Sequence, residues 1–298
     1  MKKVLIAILA VVALASCHQE DAPQGVKYPI LFGNTDTRAV ADLDDLKDSG
    51  FKVYAYVQGN AGSTSFAKDV VYNTANSVWA FESPEYWIPG CEYSFKAFYP
   101  PVSSAGTLNI VNTDEDQNFT IKNFDITKQE DIMVASATES VEAGASAPAN
   151  GSVVKLTFQH LLACVVVKIK AEVNVTINNV SLKYVPVNGS YADGLWSYSS
   201  QGNIEKDGLN ESLSSSSNEY HDVTDGGFLV FPCGVNGTEL YIKTSDKTYE
   251  LPLTAPTSWV AGNRYSYTLT IKQNDILFDE PSVEEWDEEN ATGSVVIK

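Results

Sequence analysis

Apolar and polar residues alternate along most of this 298-residue chain. In FKVYAYVQG, Phe51, Val53, Ala55 and Val57 share one face, and in YSFKAFYP so do Tyr93, Phe95, Ala97 and Tyr99. VKLTFQH aligns Val154, Leu156, Phe158 and His160, while RYSYTLTIK aligns Tyr265, Tyr267, Leu269 and Ile271. Successive side chains of a strand point to opposite faces, so this period predicts half-buried strands with one face toward a core. Helical spacing is scarce and predicts only a turn or two of helix around Leu43 and Leu46. Turn formers cluster in QGNAGS, PVSSAG, PVNGS, DGG and PCGVNG, which predicts short strands. The expected fold class is all-β, an antiparallel β-sandwich.

Two domains are expected, because small and turn-forming residues replace the alternation from 137 to 152 and the length suits two domains of ordinary size. The expected division is an N-terminal sandwich over 26–145 and a C-terminal sandwich over 146–298. A serine-rich stretch at 212–222 reads as a surface loop of the second. No repeat with a period of about 20–50 residues is present, which argues against a solenoid or propeller.

The alternation is absent at the start of the chain. Lys2 and Lys3 precede an uninterrupted apolar run from Val4 to Ala15. A membrane-spanning helix needs ~20 such residues, whereas a basic start, a short apolar run and small residues before a cut mark a secretory signal peptide. Leu14, Ala15, Ser16 and Cys17 resemble a bacterial lipobox. Residues 1–16 are therefore expected to be a lipoprotein signal peptide and 17–25 a tether, with Cys17 as the site of lipid attachment. At ~0.8 kcal/mol per buried methylene, several acyl chains there would hold the protein to a bilayer. Gln19, Glu20 and Asp21 resemble the acidic signal with which Bacteroidetes send lipoproteins to the outer face of the outer membrane. The expected location is the cell outer membrane, lipid-anchored and surface-exposed.

Charge narrows the partners. The chain carries 38 acidic and 20 basic residues, a formal charge of −18, and loss of Lys2 and Lys3 with the signal peptide makes it more negative. Nucleic acid is excluded as a partner, since it calls for a basic patch. Beyond Cys17 the cysteines are Cys91, Cys164 and Cys233, an odd number that defines no disulfide framework. Cys164, in LLACVVVKI, reads as a small buried hydrophobe.

Catalytic and metal-binding patterns are missing. His18, His160 and His221 have no second histidine or cysteine at metal-ligand spacing, and His160 reads as a structural histidine at a strand end. There is no nucleophile elbow, P-loop or H-E-x-x-H. DEDQNFTIKNFD places Asp114, Asp116, Asn118, Thr120 and Asp125 at the ligand positions of an EF-hand loop, but Phe119 stands where the glycine belongs and Asp125 where the longer glutamate belongs. The expectation is a non-enzyme without metal or cofactor.

Several stretches together resemble the fimbrillin-like family of Bacteroidales, the subunits of type V pili. They are YSFKAFYP at 93–100, DIMVAS at 131–136, VKLTFQHLLACVVVKI at 154–169 and WVAGNRYSYTLTIK at 259–272, with VEEWDEENATGSVVI near the end and TRA at 37–39. The resemblance implies two transthyretin-like β-sandwich domains in tandem. It implies that DIMVAS closes the first domain, that the stretch with Phe158 and His160 opens the second, and that Trp259, Tyr265 and Tyr267 pack the second core.

The resemblance also implies a way of assembling. An outer-membrane lipoprotein precursor is cut by a trypsin-like protease, here between Arg38 and Ala39, which removes the lipid and a first strand. In that strand Val26, Tyr28, Ile30 and Phe32 alternate, so one face should lie in the core. A domain stripped of it exposes a groove and an unpaired edge, which a strand from the next subunit can fill by β-strand addition. The donor is expected in the C-terminal segment 275–298, where DILF and SVVIK read as short strands and Val295 and Ile297 share a face. The implied function is a pilus subunit, of stalk type, that assembles by protease-triggered donor-strand exchange and supports adhesion to a host or bacterial surface ligand. Its partners would be other pilus subunits, the processing protease and, before processing, the outer membrane.

A second function class remains open on the residues alone, a monomeric surface lipoprotein that binds glycans through exposed aromatic platforms. Trp196 and Tyr198 in GLWSYSS, or Tyr86 and Trp87 in SPEYWIPG, would form them.

Overall fold

The computed structural model describes residues 27–33, 43–110, 118–151, 153–273 and 275–286. The first half of the chain forms β1 (Leu31–Gly33), α1 (Leu43–Ser49), β2 (Phe51–Gly59), β3 (Gly62–Asn73), β4 (Val78–Phe81) and β5 (Cys91–Tyr99). There follow β6 (Thr107–Ile110), β7 (Phe119–Asp125), β8 (Met133–Ser140), β9 (Val153–Lys155) and β10 (Gln159–His160). The second half forms β11 (Ala163–Ala171), β12 (Val175–Ala192), β13 (Leu195–Leu213), β14 (His221–Asp222) and β15 (Phe228–Val230). The last strands are β16 (Glu239–Thr244), β17 (Thr248–Pro252), β18 (Asn263–Ile271), β19 (Ile276–Phe278) and β20 (Ser282–Glu285). The class is all-β, as the alternation predicts, and the short helix α1 lies over Leu43–Ser49.

The period of two is visible as burial. In β2, Phe51, Val53, Ala55 and Val57 are buried while Lys52, Tyr54 and Tyr56 are not. One eight-stranded sheet runs in the order β10-β8-β5-β2-β3-β4-β1-β9. It curls so that distant strands share one interior: Phe32 of β1 meets Phe95 of β5 at 5.7 Å between ring centres, and Phe51 of β2 meets Phe158 just before β10 at 5.3 Å.

Two further sheets face each other across a second interior. One holds β14-β11-β18-β19, with β15 on β11 and β20 on β18; the other holds β17-β16-β12-β7-β6, with β13 on β12. Val165, Val167, Tyr267 and Leu269 come from the first of these, and Ile177, Val180, Leu240 and Ile242 from the second. Trp259, Tyr265 and Tyr267 all lie in this interior, where the Trp259 indole N–H donates to the Tyr267 hydroxyl at 3.1 Å. This is the arrangement of a β-sandwich.

The two interiors do not divide at residue 145. Ile121 and Phe124 of β7, with Ile126 and Ile132, pack with the later strands, because β7 pairs β12. Conversely Val154, Leu156 and Phe158 pack with the earlier ones, because β9 pairs β1 and β10 pairs β8. The stretch expected to open the second domain thus packs in the first interior, and the chain returns to the second interior at Leu161.

PVNGS is another departure, since no turn forms there. Residues 186–190 lie inside the long strand β12, which absorbs them as irregularities in its pairing with β13 between Pro186 and Gly189. A bulge lets a strand carry a residue unsuited to a regular ladder. Gly189 is where Phe231 approaches the backbone: a Cβ there would stand 3.1 Å from the Phe231 ring and 3.1 Å from the Ser197 carbonyl oxygen. The chain therefore continues as strand because packing against Phe231 favours it over a local turn.

Gly189→Val should lower stability by about 1–3 kcal/mol through overpacking, read as a lower midpoint in guanidinium denaturation with the slope unchanged.

Candidate functional site

The first strand is three residues long and lies between two others. Leu31 and Phe32 pair antiparallel with Ala80 and Trp79 of β4, and Leu31, Phe32 and Gly33 pair parallel with Val153, Val154 and Lys155 of β9. Among the described residues β9 pairs with no other strand. Upstream, the Ile30 N–H donates to the Glu85 carbonyl at 2.8 Å and the Trp87 N–H donates to the Tyr28 carbonyl at 3.0 Å. Both backbone edges of this segment are therefore in use.

Its side chains alternate as the sequence predicts. Ile30 and Phe32 are buried, with Phe32 at 0% exposure, while Tyr28 and Leu31 are half-buried. Phe32 stands edge-on to three rings: Phe81 at 5.2 Å, Phe95 at 5.7 Å and Phe51 at 5.9 Å, with interplanar angles of 82–90°. Edge-to-face contacts place the positive ring edge on the negative face, and each adds roughly 0.5–1.5 kcal/mol beyond burial. Next to it, Gly33 meets β9 so closely that a Cβ would fall 2.3 Å from Val153 Cγ1.

Of the other residues singled out by sequence, Val26, Cys17, Arg38, Ala39, Val295 and Ile297 lie outside the described residues. The described part of the C-terminal segment runs along β18 as two short edge strands. Ile276, Leu277 and Phe278 of β19 face Ile271, Thr270 and Leu269, and Ser282–Glu285 of β20 face Ser266–Asn263. Leu277 is 45% exposed and Phe278 36%. The strand β20 was not expected, because its Val-Glu-Glu sequence has no apolar face.

Trp286 secures the end of this edge. Its N–H donates to the Gly262 carbonyl at 2.8 Å, and its ring stacks on the His160 imidazole at 3.7 Å with planes 5° apart. His160 is fully buried, as a structural histidine would be, and its Nδ1 lies 2.6 Å from Asp131 Oδ2. That approach has the distance of an ion pair without the alignment of a hydrogen bond, and Nε2 has no protein partner. Sequence reasoning placed His160 at a strand end but had no signal for its tryptophan neighbour, which lies more than a hundred residues away.

The remaining candidates are structural. Trp87 is buried against Tyr93 and Phe95, and Trp196 packs on Phe124, Tyr191 and Phe231 while donating its indole N–H to the Leu161 carbonyl at 2.9 Å. Trp87 is buried and Trp196 half-buried; Tyr86 and Tyr198 are each 41% exposed, and the Tyr198 hydroxyl is bound to the Pro232 carbonyl. Thr120 and Asp125 of the EF-hand-like count sit on strand β7, and Asp125 instead caps the following turn by accepting from the Thr127 N–H. Among the described residues no group of three or more histidine, cysteine, aspartate or glutamate side chains is placed to hold a metal ion. Cys91, Cys164 and Cys233 are all unpaired; burial pushes the Cys164 thiol up to about 12 and the Cys233 thiol up to about 11.

The fold is all-β, and its three-residue strand β1 places the Phe32 ring in the core between β4 and β9. The fimbrillin-like family model matches residues 37–286, most of the chain, and the chain belongs to that family. Membership supports a pilus-subunit role at the cell surface, structural in kind. A fimbrial protein of Bacteroides vulgatus is 17% identical, with 86% of this chain and 99% of that one covered and a TM-score of 0.55. Proposed cell adhesion proteins of Bacteroides uniformis and Bacteroides ovatus are 18% and 16% identical, with TM-scores of 0.56 and 0.57. They cover 87% and 89% of this chain and 99% and 100% of their own. At such identities the likeness is one of fold. No curated protein matches the chain.

Phe32→Ala should cost about 3–5 kcal/mol of stability, read by denaturant unfolding, whereas Leu31→Ala should cost clearly less. Because its thiol is held near 12, Cys164 should resist alkylation of the native protein at pH 8, where only about one molecule in ten thousand carries the thiolate. It should react at an ordinary thiol rate once guanidinium unfolds the chain, which mass spectrometry of the labelled peptide would check.

Proposed function

We propose that the chain is a stalk-type pilus subunit that polymerises by exchanging its first strand for a strand of a neighbouring copy. It would reach the outer membrane as a lipoprotein acylated on Cys17 and be cut there between Arg38 and Ala39 by a trypsin-like protease. The released piece would carry the tether, Val26, Tyr28, Ile30, Phe32 and the lipid. The C-terminal segment 275–298 of a neighbour, which ends in Val295 and Ile297, would supply the replacement. Assembled subunits would form a fimbrium that supports adhesion.

One observation carries this reading. The strand that precedes the Arg38–Ala39 pair is an interior member of its sheet and a full member of the core, with Phe32 ringed by Phe51, Phe81 and Phe95. Burial of Ile30 and Phe32 contributes roughly 3–6 kcal/mol, a large part of the ~5–15 kcal/mol that holds an ordinary fold together. Losing them opens a hydrophobic slot and leaves β4 and β9 with unpaired backbone groups facing it. A three-residue strand is also short enough for a neighbour to replace. Because the slot and the donor are different surfaces, the contact is heterologous and propagates as a filament.

The test is controlled cleavage of the lipid-free precursor. Limited trypsin digestion should give a new N-terminus at Ala39 and a ladder of polymers on sizing and on unboiled gels. Arg38→Ala should stay monomeric under the same treatment. A cleaved protein that remains monomeric, or an Arg38→Ala variant that polymerises as well as the parent, would overturn the proposal.

A further inference from the structure

A third apolar cluster lies apart from the two interiors, on the outer side of β11. Val165 and Val167 of that strand face the second interior, so Cys164 and Val166 point the other way. Both are buried nonetheless, because Trp286 covers them, with Leu229 packed against the same cluster. Trp286 is the one buried side chain of its segment: Ser282–Glu285 of β20 pair with β18 but are all exposed. The preceding strand β19 is held separately, by the Tyr220 hydroxyl donating to Asp279 at 2.9 Å and by Phe278 against Tyr267. Residues 281–286 thus form a strap whose buried contact is concentrated in a single ring.

That ring does not rest on the second sandwich alone. Trp286 stacks on His160 at 3.7 Å, and its N–H donates to the Gly262 carbonyl at 2.8 Å. The Gly262 N–H in turn donates to the Leu162 carbonyl, and the Leu161 N–H to the Ile132 carbonyl, each at 2.9 Å. His160 belongs to β10, which pairs with β8 of the first sheet, and it follows Phe158 by two residues. Phe158 meets Phe51 at 5.3 Å, and Phe51 meets Phe32 at 5.9 Å. The stretch that carries Phe158 and His160 starts in β9, whose only strand partner among the described residues is β1. Ring contacts and one short piece of chain therefore lead from Phe32 through Phe51, Phe158 and His160 to Trp286.

We infer that the strap is a two-state element, closed or lifted, and that the first strand sets its balance. With β1 in place, β9 and Phe158 are fixed, His160 is fixed with them, and Trp286 has a flat partner to close on. When β1 is weakened, the stretch 153–160 loses backbone and ring partners, His160 shifts from under Trp286, and the strap lifts while both interiors stay folded. Lifting uncovers Cys164 and Val166. Coupling between remote sites needs an element with two states that both sites bias, and local opening costs least where few side chains are buried. The linkage is reciprocal, so a closed strap also steadies the seat of β1. This goes beyond strand exchange and does not depend on it, since it joins the two ends of the described chain within one uncut molecule.

Alkylation of Cys164 in the folded, uncut chain reads the strap, because Trp286 covers that thiol. Trp286→Ala removes the cover, and Phe32→Leu keeps an apolar side chain in β1 but removes its ring. Ile242→Val, in the interior that β11 itself lines, controls for general loosening. Mass spectrometry separates the Cys164 peptide from those of Cys91 and Cys233. Trp286→Ala and Phe32→Leu should each speed Cys164 labelling on the order of tenfold, Ile242→Val should leave it near the parent rate, and Phe32→Leu should add nothing further in the Trp286→Ala background. Rates should stay flat in low guanidinium, as local opening requires; rates that climb from the first addition would report global unfolding and overturn the inference. Labelling that rises no more in Phe32→Leu than in Ile242→Val, or effects that multiply in the double variant, would overturn the coupling. A Trp286→Ala chain labelled at the parent rate would overturn the strap itself. Should Phe32→Leu fail to fold, Val154→Ala in β9 perturbs the same path and is read in the same way.

Discussion

The contact between the Phe32 ring and those of Phe51, Phe81 and Phe95 is what the first interior is organised around. These four residues come from β1, β2, β4 and β5, and their edge-to-face contacts tie the curled sheet's strands together across its interior. The same short strand supplies the backbone partner of β9, which has no other among the described residues. Through β9 it fixes Val154, Leu156 and Phe158, so the reach of three residues extends to a stretch that follows them by more than a hundred positions.

Under the strand-exchange proposal, that dependence would give the subunit a two-state device. With β1 present, both edges of the slot are satisfied and the chain has no reason to seek a neighbour there. Without it, ring faces and backbone groups would be exposed together, and another strand of similar pattern would restore both. A sheet edge attracts strands generally, but a slot bounded on two sides and floored by three phenylalanines would select among them by side-chain shape. The formal charge of −18 on the chain would oppose casual association between copies and leave the fit of the strand to decide such a contact.

The C-terminal edge is built for a different balance. Its two strands lie on one side of β18 only, and their outer backbone row faces away from the sheet. Trp286, stacked on His160 and bonded to the Gly262 carbonyl, anchors the far end. The Tyr220 hydroxyl, donating to Asp279 at 2.9 Å, and the Phe278 contact with Tyr267 hold the near end.

Much of this was legible in the sequence. The alternation located β2, β5, the stretch of β9 and β10, and β18 and named their buried faces, because a half-buried strand imposes a period of two whatever surrounds it. It also marked Ile30 and Phe32 as inward, and the shared order of several ordinary motifs pointed to the fimbrillin-like family. Other features depended on contacts between residues remote in sequence. PVNGS has the composition of a turn, yet it stays in strand because Phe231 packs on Gly189. Trp87 looks like an exposed platform, yet its ring is buried against Tyr93 and Phe95 of β5. Val154, Leu156 and Phe158 alternate like any strand of the second half, but pairing with β1 draws them into the first interior. Local pattern determined which side chains turn inward, since that follows from backbone geometry alone. Which interior they enter, and what they meet there, was decided only when sheets closed and brought distant strands together.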